Sequence, residues 1–169
     1  MVKASLASFA GTREIPRIMR TYLAVIDDQP EARTALRFAA RRAAKTGGAI
    51  AILALVPAPE FVQWSGVQAA MEEEQRLRVE GMVAEAAGAL IKETGLQPDI
   101  ILRQGDPVTV VRALLAQRPD IAALVLGAAS EGGPGVLVAH FAGADAGKMT
   151  CPVMIIPGAL TDEALDRLS

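Results

Sequence analysis

Apolar runs alternate along this chain with segments whose apolar residues recur at helical spacing. The first run, Tyr22-Leu23-Ala24-Val25-Ile26, is followed by Asp27-Asp28-Gln29-Pro30. Pro30 suits a first helical position, where its missing N–H costs nothing. The predicted helix continues to Lys45-Thr46 and ends at Gly47-Gly48. A second run, Ala49–Val56, predicts a strand closed by Pro57-Ala58-Pro59, and Glu60–Gln68 is expected as a loop. Val79, Met82, Val83, Ala86 and Leu90 then fall on one face of a long helix over Ala69–Glu93, which Gly95 ends. Three further strands are predicted at Asp99–Arg103, Ile121–Leu126 and Val153–Ile156. Between them lie a helix from Val108 to Gln117, behind the turn Gly105-Asp106-Pro107, and a weaker helical stretch over Val136–Gly147 after the loop Gly127–Gly135.

Apolar, non-alternating strands that take turns with helices imply a parallel sheet covered on both faces. The expected fold is a single α/β doubly wound domain, with a five-stranded, mostly parallel sheet and helices on both sides. It occupies residues 19–158, with 1–18 as an N-terminal extension and 159–169 as a C-terminal tail. Ligands of such sheets bind at the carboxyl ends of the strands, near the point where strand order reverses. That rule singles out Asp27, Leu55, Val56, Gly105, Gly127 and the glycine-rich loop.

Composition removes several function classes. The mean hydropathy is +0.32, yet the longest apolar runs, Ala49–Pro59 and Ile121–Ala129, fall well short of the ~20 residues of a membrane span. No membrane partner is expected. A net charge of −2 over 169 residues gives no basic surface for nucleic acid. One histidine and one cysteine cannot assemble a zinc site of the usual ligand types. Residues 1–20 carry Lys3, Arg13, Glu14 and Arg17 without a continuous apolar stretch, which points to the cytoplasm.

Known catalytic and phosphate signatures fail residue by residue. Gly147-Lys148 is followed by Met149, with Ala142 where a Walker loop needs glycine, and Gly133-x-Gly135 lacks the third glycine of a dinucleotide fingerprint at Val138. No Ser/His/Asp set is spaced for nucleophilic catalysis, so no enzyme is expected. Cys151 beside Pro152 is expected as a buried small residue. Arg33, Arg37, Arg41 and Lys45, four apart, form a basic stripe expected to face solvent. Glu72-Glu73-Glu74 would suit the positive end of the long helix. Phe61 and Trp64 are candidates for a ligand flap or a subunit contact.

Val25-Ile26-Asp27 with Ala35-Leu36, Leu53-Ala54-Leu55-Val56, Gly105-Asp106-Pro107, the segment from Asp120 to Gly127, and Cys151-Pro152-Val153 together resemble the universal stress protein family. The resemblance covers about Thr21 to Pro157. Members that bind ATP share G-x-x-G, nine residues, then G-S or G-T, so that backbone N–H groups wrap the phosphates and a hydroxyl adds a donor near a helix N-terminus. Here Gly127 matches the first glycine, and Ser130 stands at the second, followed closely by Gly132, Gly133 and Gly135. Ala139-His140 falls where the G-S pair is due. The resemblance implies that Asp27 and Leu55 hold the adenosine end, and that Gly127, Ser130, Gly132, Gly133, Ala139 and His140 line a remodelled phosphate end. Asp27 is equally readable as a helix cap, and His140 as an ordinary helical histidine.

The expected function is a non-enzymatic, cytoplasmic stress-response module that requires no cofactor, with ATP, ADP or AMP as candidate ligands. The alternative is a dimeric interaction module that has lost nucleotide binding. Val153–Ile156, an apolar edge strand, is the expected homodimer seam, as the resemblance also implies.

Overall fold

The computed structural model describes residues 19–57 and 65–169. Phe61 and Trp64 and the extension 1–18 lie outside the described residues. Five strands, β1 (Thr21–Ile26), β2 (Ala49–Val56), β3 (Asp99–Gln104), β4 (Ile121–Ala128) and β5 (Val153–Pro157), form one all-parallel sheet in the order β3-β2-β1-β4-β5. Strand order reverses between β1 and β4, so the doubly wound expectation holds and the ligand crevice of such folds lies there.

Alternation along the strands splits the core in two. Ala24, Ile26, Ile52, Ala54 and Val125 face α1 (Pro30–Thr46) and α2 (Ser65–Thr94). Leu23, Val25, Leu53, Leu124 and Leu126 face α3 (Pro107–Gln117) and α4 (Val136–Ala139). The alanine-rich composition serves this arrangement. Ala32, Ala35, Ala39, Ala40 and Ala43 are buried along α1 and let it sit close to the sheet. Among the described residues no helix is long and apolar enough to cross a membrane.

Several elements differ from the sequence expectation. The helix predicted from Ala69 starts at Ser65 instead, so Ser65–Gln68 are helical rather than loop. Glu72-Glu73-Glu74 therefore miss the first turn and meet Gln68, Arg76 and Arg78 respectively, the Arg76 Nη2 lying 3.0 Å from Glu73. The strand predicted to end at Leu126 continues through Gly127 to Ala128. Val136–Gly147 is not one helix: α4 stops at Ala139, a π-helical turn spans His140–Ala144, and a 3₁₀ turn spans Ala146–Lys148.

The residues after 158 are structured as well. They carry α5 (Asp162–Leu168), capped by the Thr161 hydroxyl, which accepts from the Ala164 N–H. Leu165 is 1% exposed against the α1-side core. The basic stripe of α1 is consequently not a bare solvated face. Arg37 pairs with Asp162, Arg41 with Asp166, and Lys45 donates to the Asp166 carbonyl at 2.8 Å. Glu93 of α2 accepts from both Arg37 and Arg41.

Candidate functional site

Three adjacent strands end at one level. Ile26 of β1 pairs with Ala54 of β2, so the next residues, Asp27 and Leu55, are neighbours at the strand ends. On the other side Ala24 pairs with Val125 of β4, which brings Gly127 level with Ile26. Asp27, Leu55 and Gly127 are thus assembled around the crevice where strand order reverses. The loop that follows β4 places Ser130, Gly132 and Gly133 beyond it, all exposed.

Asp27 is not the N-cap of α1. That position is Gln29, which makes no side-chain capping bond. Instead the Asp27 Oδ1 accepts the Gln29 N–H at 3.0 Å, closing a local turn. Its exposed carboxyl is nevertheless crowded by protein atoms. That crowding, eased by the Gln29 N–H and reinforced by the charges of Glu31 and Asp28, holds it above the usual carboxylate range. Asp27, Asp28 and Glu31 together make this rim of the crevice acidic.

Gly127 has a packing reason to be glycine. A Cβ there would stand 2.2 Å from the Glu31 carbonyl oxygen and 2.9 Å from the Ala32 nitrogen. The first turn of α1 rests directly on this backbone. Gly158 supports the same turn, since a Cβ there would meet the Glu31 Cβ at 2.7 Å. The missing side chain of Gly127 faces α1, whereas Leu55 packs with the core on the α3 side. The loop glycines differ. Gly132 (φ +74), Gly133 (φ +102) and Gly135 (φ +91) take left-handed backbone with open space where a Cβ would stand.

Ala139 and His140 are not presented at a helix N-terminus. Ala139 closes the four-residue α4, and its N–H is already donated to the Gly135 carbonyl at 2.9 Å. His140 opens the π-turn and is occupied: its Nε2 lies 2.9 Å from Asp145 Oδ2 and 3.0 Å from Arg112 Nη2. Arg112 of α3 also pairs with Asp145, and the hydrogen bonds from Arg112 and His140 hold the Asp145 carboxyl below its usual range. Beneath them Phe141 is 1% exposed, its ring edge-on to His140. The cluster fastens the irregular segment to α3.

Arg112 and Asp145 escape a reading by sequence. Arg112 is 28 positions away, and Asp145 reaches His140 only because a π-turn returns the chain after five residues. The Asp145 N–H to His140 carbonyl bond, 3.2 Å, is that turn. By contrast Asp106 caps α3 as its motif implies, accepting from the Thr109 N–H at 2.8 Å. Cys151 is buried, and burial raises its thiol above the usual range.

Residues 19–157 match the family model described as the universal stress protein family. The chain belongs to that family. No curated protein matches it in sequence. The universal stress protein UspA from Lactobacillus plantarum is similar in structure, with 15% identity, 81% of this chain and 97% of that one covered, and a TM-score of 0.67. So is a universal stress protein in complex with cAMP, at 16% identity, 81% and 96% coverage and a TM-score of 0.54. A universal stress protein from Archaeoglobus fulgidus in complex with dAMP gives 19% identity, 82% and 97% coverage and a TM-score of 0.50. At these identities the likeness shows the fold. Within this universal stress protein, then, Asp27, Leu55 and Gly127 converge at the strand ends, while Ala139 and His140 are engaged elsewhere.

Proposed function

We propose that this universal stress protein is a non-enzymatic, cytoplasmic stress-response module whose strand ends take an adenosine monophosphate and do not hold the outer phosphates of ATP. One contrast carries the reading. Asp27, Leu55 and Gly127 stand together at the crevice, whereas the Ala139 N–H and the His140 Nε2 are already bonded within the protein. An acidic turn of Asp27, Asp28 and Glu31 further disfavours a highly charged anion. The structural neighbours in complex with cAMP and with dAMP hold monophosphates, in keeping with this class of ligand.

Calorimetric titration with AMP tests the assignment of Asp27. Loss of a hydrogen bond to the ribose or base costs about 1.4 kcal/mol, so Asp27→Ala is expected to weaken AMP binding about tenfold. An Asp27→Ala protein that binds AMP as well as the parent removes Asp27 from the site.

The second reading, a homodimeric interaction module, is favoured by the two sheet edges. β3 is defended. Its Asp99 is held by Arg118 at 2.7 Å, and the Arg103 Nη1 donates to the Leu102 carbonyl at 3.0 Å. β5 carries no charge over Val153–Pro157, and Ile155 is 41% exposed. An apolar, uncharged edge is the natural seam for a second copy. Sedimentation at micromolar concentration is expected to give a dimer, and a monomer there would remove the seam.

A further inference from the structure

A cavity of about 140 Å³ lies between α1 and α2, away from the strand ends. Its floor is Leu36, Ala40 and Leu90, all buried, and Ala86 of α2 forms part of its wall. A cavity near this size admits a group as large as a benzene ring. Short alanine side chains, rather than a fold of the chain, leave the space open.

Its mouth carries two opposite charges from opposite helices. Arg33 of α1 and Glu85 of α2 both line the cavity and are both exposed. Arg37 and Glu93 line the cavity as well, but they are already paired: Arg37 meets Glu93 at 3.4 Å, and Glu93 also accepts from Arg41 at 2.6 Å. Among the described residues neither Arg33 nor Glu85 makes an ion pair. The seam is closed by charge pairing at one end and left with an unpaired cation and anion flanking an apolar hole at the other.

We infer that this crevice is a binding site for a free apolar α-amino acid, with the side chain in the cavity, the carboxylate at Arg33 and the ammonium at Glu85. A ligand with one charge is attracted by one rim residue and repelled by the other; a zwitterion satisfies both. A volume of about 140 Å³ takes a single apolar side chain. The site shares no residue with the nucleotide crevice.

Thermal melting of the full chain with L-phenylalanine, phenylacetate and phenethylamine tests it. Millimolar L-phenylalanine is expected to raise the melting temperature saturably, with half-saturation about tenfold lower than for either single-charge analogue. Ala86→Leu, which fills the cavity, is expected to abolish the shift. Arg33→Gln and Glu85→Gln, both surface changes, are each expected to weaken it several-fold. The inference is overturned by no shift with L-phenylalanine, by equal shifts with the single-charge analogues, or by undiminished binding in Arg33→Gln and Glu85→Gln. If Ala86→Leu fails to fold, the two rim variants decide the matter. A crevice that instead receives a side chain from another protein gives the first of these negative results.

Discussion

Replacing Gly127 with alanine separates a packing role from a ligand role at the one position that matches the family's phosphate motif. The Cβ would sit 2.2 Å from the Glu31 carbonyl oxygen and 2.4 Å from its carbon. Both are backbone atoms in the first turn of α1, so no side chain can swing aside. Contact distances require the turn to retreat by about 1 Å. Overpacking of this kind costs about 3 kcal/mol. Gly127 has no positive φ, so alanine recovers about 0.5–1 kcal/mol by restricting the unfolded chain. The net loss is about 2 kcal/mol, which for a chain of this size lowers the melting temperature by about 4–8 °C. Gly132→Ala is the control: nothing stands near its Cβ, and only the left-handed backbone at φ +74 is strained, at about 1 kcal/mol. Melting followed by circular dichroism compares the two. A Gly127→Ala protein that melts within about 1 °C of the parent refutes the close approach of α1, and with it the packing explanation of this glycine.

Two further substitutions probe the frame around the site. Arg118 clasps Asp120 and Asp99 at the amino ends of the strands and holds the Asp120 carboxyl down at about 2. Relative to the usual 3.8 this would be worth about 2.4 kcal/mol in full, and with side chains 30% and 39% exposed about 1 kcal/mol is expected. Because the folded pKa lies below the unfolded one, the contribution is complete above about pH 4 and disappears as pH falls toward 2. Urea denaturation should therefore show Arg118→Ala less stable at neutral pH, with the deficit closing in acid; a deficit independent of pH contradicts the clasp. Leu165→Ala, in a helix beyond the family-matched residues, is expected to cost about 2–3 kcal/mol in the same assay, and no change would mean that α5 does not pack on α1.

Where local chemistry decided the structure, the sequence was a sufficient guide. Pro30, the glycines at 47 and 48, and the Asp106-Pro107 pair mark helix ends that the structure reproduces, because capping and fixed φ act within a turn. The apolar runs of β1, β2 and β4 announced a sheet covered on both faces, because burial on both sides leaves no polar alternation along a strand. The misreadings arose where long-range contacts decided. Gly127 looked like a loop residue, but its backbone stays in the ladder and its missing side chain makes room for α1. His140 showed no acid beside it, since Asp145 approaches only through a π-turn and Arg112 from another helix. The basic stripe of α1 carried no sign that α5 and Glu93 would engage its Arg37, Arg41 and Lys45. For the candidate site, Asp27 and Leu55 were legible through the strand-end rule, whereas the engagement of Ala139 and His140 was not, because it depends on how α4 breaks.

The affinity of ATP relative to AMP tests the central claim most directly, since the two ligands differ in the outer phosphates, and the Ala139 N–H and the His140 Nε2 are already bonded within the protein. Competitive calorimetry is expected to find AMP bound at least as tightly as ATP. ATP binding about tenfold tighter or more, a gain of about 1.4 kcal/mol from the outer phosphates, would contradict the account.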